Sequence, residues 1–448
     1  MSEPTIPFQT AGSIDFQELG LFGNNGRFMD IKDFCVELNL FEDLFSNALN
    51  GNILISDSRN LLKELPIIGE EYLYVKFKTP NTEVYIDKIF RIYSVTNREI
   101  VRDRNTQTYI LNFISFEAIV NETKPIFRTF SGKVTDIVEE LFNEYIQTNR
   151  FPIKKGDKFE FPDNPSKIQI FNDTANQIKF VSPGWTPFKC INWCASRSIP
   201  KEGKACNFLF FESNKSFNFT SIEHMFYLNN ETDGKFNIGD YIYNVNQIEK
   251  NKNPIDKLFN VEEFQVVKTV DHLDNFQSGY LANRLITLDV KNKIYTATDY
   301  DADIEFQNYD HSEKNARPIF DRNSVKSPLS DIMFKPVHPG LFEGIENNAN
   351  ERAPEIYGNR KSNLKELDNF KLNLIVPGRT DVEVGRILKF IFPDVSPKTE
   401  KDSAKPVDDK YYSGFYLISA IRHKITLTSH FMSMEIVKDS LKANDEDI

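Results

Sequence analysis

Three aspartates, a histidine pair, a glycine cluster and a close pair of cysteines are the residues whose types and spacing suggest chemistry. Asp299, Asp301 and Asp303, in the run TDYDADIEF, have the alternating spacing that opens a calcium loop. The rest of that loop is missing. Its sixth position is Ile304, where the sharp turn needs glycine, and its twelfth is Asp310 in place of the bidentate glutamate. A solvated acidic loop is the expectation. His423 and His430 end the run HKITLTSH, and a hairpin between them would bring the two imidazoles together. No carboxylate or cysteine close in sequence completes a ligand set or a catalytic triad, so both read as structural.

Gly20, Gly23 and Gly26 in GLFGNNG lack the preceding apolar strand and following capped helix of a phosphate loop or a dinucleotide fingerprint. Cys190 and Cys194 would face one another at i, i+4 on a helix, with only Cys206 near them and no histidine. A structural zinc needs four ligands in tighter spacing, so these are read as buried apolar thiols. Glu139 and Glu140 are neighbours on one polar helix face and do not converge across a cleft as glycosidase carboxylates do. No catalytic, cofactor-binding or metal-ligating residue is assigned, no cofactor is expected, and the chain is not read as an enzyme.

The elements that position these residues are mostly strands. In 27–40 (RFMDIKDFCVELNL) apolar and polar residues alternate with one slip before Phe34, which a strand with a bulge explains. Strands are expected at 51–57, 72–78, 86–96 and 109–116, with a short helix at 58–65. Short loops between them argue for an antiparallel barrel or sandwich. The 131–148 stretch differs: Val134, Ile137, Val138, Leu141, Phe142, Tyr145 and Ile146 make a helical stripe, with Ser131 as N-cap. A second helix is expected to start at Pro187 after Thr186, followed by strands at 207–212 and 216–220. Residues 121–226 thus read as a separate α/β unit. Beyond a strand-like run at 283–298, the 310–363 stretch is polar and reads as an extended arm ordered against a neighbour. Strands resume at 370–375, 387–392, 415–424 and 431–437, and the charged tail 442–448 is expected to fray.

The first and last strand clusters share a plan. Gly69 precedes YLYVKF and Gly385 precedes ILKFIF; each leads to an apolar strand (IFRIYSV, FYLISAI) and then to one more (YILNFIS, FMSMEIV). Gly69 to Ile92 spans 23 positions and Gly385 to Ile418 spans 33, and the charged insert 396–410 absorbs the difference as a longer loop. Internal duplication is the reading.

Composition agrees with sheets. The chain has 448 residues, enough for about three or four folding units, and its 39 Phe and 17 Tyr against 6 Met and 2 Trp suit pleated, half-buried surfaces. The net charge of −11, with Lys and Arg scattered, gives no footprint for gripping nucleic acid. Four cysteines are too few for a disulfide framework and fit a reducing cytoplasm. The N-terminus lacks a basic start and apolar run, so no secretory signal is expected. The most apolar run, 109–120, is broken by Glu117 and falls short of the roughly 20 residues of a spanning helix, so no membrane partner is expected.

Two segments carry a family resemblance: RFMDIKDFCVELNLFEDLFSNALNGNILISDSRNLLKELPIIGEEYLYVKF near the start, and VPGRTDVEVGRILKFIFPD with FYLISAIRHKITLTSHFMSMEIVKDS near the end. Their order of motifs resembles the central baseplate hub proteins of contractile-tailed phages, the T-even type included. The resemblance implies a β-rich α+β fold with two tube-like antiparallel β-barrel domains and two inserted smaller domains. The first barrel would span 15–120, an inserted α/β domain 121–226, the discontinuous second barrel 227–255 with 366–442, and an inserted domain with the polar arm 256–365. It also implies a homotrimer whose pseudo-hexameric ring adapts a six-fold tail tube to a three-fold central spike. Expected partners are the spike protein, tube-initiator or tape-measure proteins, and baseplate wedge proteins, in a virion tail baseplate assembled in the host cytoplasm. Two other readings stay open. One is the hub or spike-base protein of a phage-derived injection machine such as type VI secretion; the other is a tail-associated cell-wall hydrolase. A lumen that does not hold DNA is expected, provided Lys63, Lys76, Lys78, Lys88, Arg91, Arg98 and Lys389 do not line it.

Overall fold

The computed structural model describes residues 11–23, 27–65, 67–80, 82–101, 106–147, 153–155, 158–160, 166–231, 237–243, 256–315, 331–338, 348–393 and 408–441. Gly26, the 396–407 part of the charged insert and the tail 442–448 lie outside them.

The first half is a meander of strands β1 (Asp15–Phe22), β2 (Phe28–Asp30), β3 (Cys35–Asp43) and β4 (Asn50–Asp57), a one-turn helix α1 (Leu61–Glu64), then β5 (Tyr72–Lys78), β6 (Tyr85–Val101) and β7 (Thr106–Ser115). They lie in the order β3-β4-β7-β6-β5-β1-β2, all antiparallel. Period-two patterning makes them strands: β4 and β7 alternate buried and half-buried residues along their whole length. The buried set, including Leu19, Ile53, Leu73, Phe77, Phe90, Ile92, Leu111 and Phe113, forms one core.

The slip before Phe34 is a 3-10 turn over Lys32–Phe34, closed by Phe34 N donating to the Ile31 carbonyl at 3.1 Å, and not a bulge. A bulge does occur two residues on, between Cys35 and Glu37 opposite β4. The expected helix 58–65 shrinks to one turn because Asp57 accepts from both Arg59 N and Leu61 N, a side-chain turn that competes with helix.

Next come α2 (Phe116–Thr123), β8 (Thr129–Lys133), α3 (Val134–Leu141) running into a π turn at Phe142–Ile146, the short β9 (Ile153–Lys155) and β10 (Lys158–Glu160), β11 (Ile168–Ile170), β12 (Gln177–Val181), α4 (Pro187–Ala195), β13 (Phe208–Glu212), β14 (Phe217–Ser221) and α5 (Ile222–Glu231). Their core is dominated by Phe130, Phe142, Phe180, Phe188, Phe208, Phe210, Phe217 and Phe219. The helical stripe is real, but Ser131 is not its cap: residues 131–133 belong to β8, paired antiparallel with β12. The helix N-terminus instead takes a hydroxyl from elsewhere, Thr135 N donating to Thr174 Oγ1 at 3.2 Å.

The remainder is β15 (Asn237–Tyr243), β16 (Asn260–Val261), β17 (Glu263–Lys268), α6 (His272–Gln277), β18 (Ala282–Asp289), β19 (Ile294–Asp301), α7 (Ala302–Glu305), β20 (Ile332–Pro336), α8 (Ala353–Glu366), β21 (Phe370–Pro377), β22 (Ile387–Ile391), β23 (Gly414–Ile425) and β24 (His430–Lys438). Strand 283–298 is thus a hairpin, β18–β19. The 310–363 stretch is not simply an extended arm. It contains β20 and most of the 14-residue α8, whose Ile356 is fully buried. Apolar count misleads here because α8 is anchored through polar groups: Asn359 Oδ1 accepts from Cys206 N at 2.9 Å and Ser362 Oγ donates to the Tyr280 carbonyl at 2.7 Å.

Strand β23 pairs antiparallel with β3, so both halves belong to one 14-stranded mixed sheet, and the described residues make a β-rich protein with eight α-helices. In chain order, β1, β3, β4, β5, β6 and β7 lie side by side as β3-β4-β7-β6-β5-β1; β15, β17, β21, β22, β23 and β24 lie as β17-β21-β24-β23-β22-β15. The order is the same. One pairing differs in direction, β1 with β5 being antiparallel and β15 with β22 parallel. Even the irregularities match: β6 has an extra residue between Ile92 and Ser94, and β23 one between Ile418 and Ala420.

Candidate functional site

The seam between the two halves carries a buried polar cluster. Along β3 and β23 the register runs from Asp43↔Ala420 to Leu38↔Ile425. Beneath it, Glu42, His423 and His430 are almost wholly buried. His423 Nε2 lies 3.2 Å from Glu42 Oε1, and His423 Nδ1 lies 3.0 Å from His430 Nε2. The other Glu42 oxygen accepts from Asn214 N at 3.2 Å, so one carboxylate ties β3, β23 and the β13–β14 turn together. One assignment of the ring hydrogens satisfies both contacts. His423 donates from Nε2 to Glu42 and accepts at Nδ1 from His430, which leaves the buried His430 Nδ1 with no hydrogen-bond partner. Burial, reinforced by His423 beside it, holds the His430 pKa well below the usual imidazole range.

The two histidines therefore meet as the hairpin reading expects. The carboxylate that completes the trio lies 381 positions away from His423 and had no signal in local sequence. Buried from solvent, the trio joins β3, the β23–β24 hairpin and the β13–β14 turn.

A second buried cluster fastens the 116–231 elements to the sheet. Glu212 accepts from Leu49 N at 2.9 Å and from Ser115 Oγ, and it faces Lys88 Nζ at 3.4 Å. Burial and the neighbouring Glu212 push the Glu117 carboxyl up to about 7. Two carboxylates do converge here, which sequence reasoning missed. At 6% and 4% exposure both carboxylates are buried.

On the face opposite the first core, a cross-strand row runs Lys424↔Asn39↔Asn52↔Asn112↔Ser94 over five strands. Arg422 donates to Asn39, Asn39 to Asn52, and Asn112 to Ser94, at 2.9 to 3.0 Å. The row is polar, and Arg422 and Lys424 at its end each pair with Glu37 at 3.3 Å. Most of the cations flagged in the sequence are engaged within the fold. Lys76 faces Asp87 at 3.6 Å, Lys88 faces Glu212 and Lys389 faces Asp240 at 3.7 Å. Arg91 stacks over Tyr72 at 4.4 Å, Lys78 over Tyr85 at 4.7 Å, and Arg98 bonds Gln107 at 3.0 Å; Lys63 sits in α1.

The other sequence candidates separate. Asp299 clamps Arg284 at 2.6 and 2.8 Å, while Asp301 caps α7 by accepting from Asp303 N and Ile304 N. Asp299 and Asp301 thus have local structural tasks. Cys190 and Cys194 are buried on α4, Cys35 and Cys206 are buried elsewhere, and burial pushes the Cys35 and Cys206 thiols up to about 12. Glu140 pairs with Arg128, and Gly20 lies within β1 beneath the Phe28 ring. Among the described residues no helix is long and apolar enough to cross a membrane.

No protein-family model matches the chain, and no curated protein matches its sequence. Solved structures do. The 43 kDa tail protein of prophage MuSo2 from Shewanella oneidensis matches over 95% of this chain and 99% of its own, with TM-score 0.50 and 9% identity. A tail protein from Neisseria meningitidis MC58 matches over 94% and 96%, with TM-score 0.48 and 9% identity. A chain of a Francisella PdpA–VgrG complex covers 96% of this chain and matches over 53% of its own length, with TM-score 0.44 and 11% identity. The likeness is one of fold, and from its first strands to its last this chain is built on the fold of a phage tail protein, in line with the hub resemblance.

Proposed function

We propose that this chain is a structural baseplate hub of a contractile phage tail, three copies of which form a pseudo-hexameric ring between a six-fold tube and a three-fold spike. The observation that carries the reading is the repeated strand order of the two halves, with a positive-φ glycine opening the matched strand in each, Gly69 at +97° and Gly385 at +83°. Two similar halves per chain let three chains present six similar faces. The tail-protein fold agrees with this.

Each half is read as a tube-like barrel. In the second, the continuous run β16–β17 pairs with β15 on one side and β21 on the other, which returns the strand order to its start. In the first, the start of β1 reaches the same β23–β24 hairpin that borders β3: His430 N donates to the Gly12 carbonyl at 2.8 Å. The proposed division is a first barrel at 15–120, an inserted unit at 121–226, a second barrel from 227 with 366–442, and a second insert up to 365. Because β17 pairs with β21, we place the start of that insert after 268 and not at 256.

An exposed apolar patch supports assembly with partners. Tyr295, Leu288 and Phe334 lie on one face of the β18–β19–β20 sheet at 62%, 46% and 70% exposure, more apolar surface than an isolated sheet leaves to water. The spike, tube-initiator or tape-measure, and wedge proteins are the proposed partners, and the role is structural, not enzymatic. The hub or spike base of an injection machine uses the same ring and differs in what it is attached to. Imaging an assembled tail tests the proposal: three copies encircling the axis between tube and spike are expected, and six copies or a peripheral position would overturn it.

A further inference from the structure

His311, Glu366 and Asp439 meet where the segment after α7, the end of α8 and the residues following β24 come together. They are 8%, 7% and 4% exposed. One ligand atom from each lies within 4.8 Å of the other two. His311 Nδ1 and Asp439 Oδ2 are 2.8 Å apart, close to the roughly 3 Å between adjacent ligands that bond lengths of about 2.0–2.2 Å imply.

The surrounding groups orient all three. His311 Nε2 lies 2.8 Å from the Phe306 carbonyl, and the Phe306 ring stacks on the imidazole at 3.8 Å. Asp439 Oδ1 accepts from Ser312 N, Ser312 Oγ and Ser440 Oγ at 2.7 to 3.0 Å. Tyr280 donates to Glu366 Oε1 at 3.0 Å. An imidazole whose far nitrogen is fixed on a backbone carbonyl, beside carboxylates that are themselves hydrogen-bonded, is the outer shell that holds metal ligands in place.

Charge and space agree with the geometry. The small cavity at this point has about 10 Å³ of room for the centre of a water-sized particle, roughly the least that holds one. Glu223, Asp310, Glu366 and Asp439 line it against one imidazole, with no Lys or Arg among the lining residues. The nearby Lys438 is turned away, donating to the Tyr411 carbonyl at 2.6 Å beneath the rings of Phe370 and Tyr416. A buried wall with that excess of carboxylate favours a cation.

We infer that His311, Glu366 and Asp439 form a site for one divalent cation of the zinc or manganese kind, which clamps the 306–313 segment and α8 to the end of β24.

The test uses the untagged full-length chain, stripped with EDTA and titrated with Zn²⁺, Mn²⁺ or Co²⁺ in a calorimeter. One equivalent should bind with a rise in Tm, and bound Co²⁺ should show the visible absorption of a nitrogen- and oxygen-ligated ion. Glu366→Gln and His311→Gln should each weaken that equivalent at least about tenfold, with circular dichroism reporting that the variants stay folded. Should the wild-type chain bind no metal, or either folded variant bind with unchanged affinity, the site does not exist.

Discussion

At the scale of single residues, the buried trio Glu42–His423–His430 makes stability depend on pH in a direction that can be worked out. Folded, His430 stays neutral because its pKa is held well below the usual range; unfolded, it titrates near 6.5. Below that pH the unfolded chain binds the extra proton, so stability falls as pH falls. His311 acts in the opposite sense. Its folded pKa is raised to about 9, so its contribution is complete below 6.5 and is lost as pH rises towards 9. His430→Gln removes the first dependence alone. Urea unfolding at pH 6.5 and 5.5 should show the wild type losing about 1 kcal/mol more over that interval than the variant. Equal losses would mean that His430 is not held neutral. The histidine pair could be read from HKITLTSH because a hairpin brings its ends together. Glu42 could not, since only the pairing of β3 with β23 delivers it.

At the scale of elements, Gly69 and Gly385 are the two positions where the repeated plan depends on a left-handed backbone. A methyl group at Gly69 would sit 3.2 Å from the carbonyl oxygen of Tyr93, the extra residue of the β6 bulge, and one at Gly385 would sit 3.3 Å from the Phe211 ring. Replacing either by alanine should cost about 1–2 kcal/mol, measured as a lower denaturant midpoint. A loss at one site only would argue that the two turns are not equivalent. Strands were legible because they alternate with period two: 72–78 was read in full as β5, and 370–375 and 431–437 fall within β21 and β24. Pro187 at the first turn of α4 was equally plain. What escaped was whatever distant groups decide: the Thr174 hydroxyl at the start of α3, the Cys206 and Tyr280 backbone groups that anchor the polar α8, and the Glu117–Glu212 pair. Local pattern reports which face of an element is apolar; it does not report which partner satisfies a buried polar group.

At the scale of the whole molecule, the proposed ring would enclose a lumen that lets DNA pass. The net charge of −11 disfavours phosphate, and Lys76, Lys88 and Lys389 each face a carboxylate. Each neutralised phosphate would release counterions and steepen the salt dependence of binding. Titrating labelled DNA against the assembled ring should therefore give negligible affinity at moderate salt, and sub-micromolar binding there would contradict a passive conduit. The central claim is the three-fold ring itself, and the mass in solution of the purified chain, alone and mixed with the central spike protein of the same tail, tests it most directly. The account predicts a particle holding three copies of the chain, formed either by the chain alone or on meeting the spike. A chain that keeps the mass of a monomer with the spike present would contradict it.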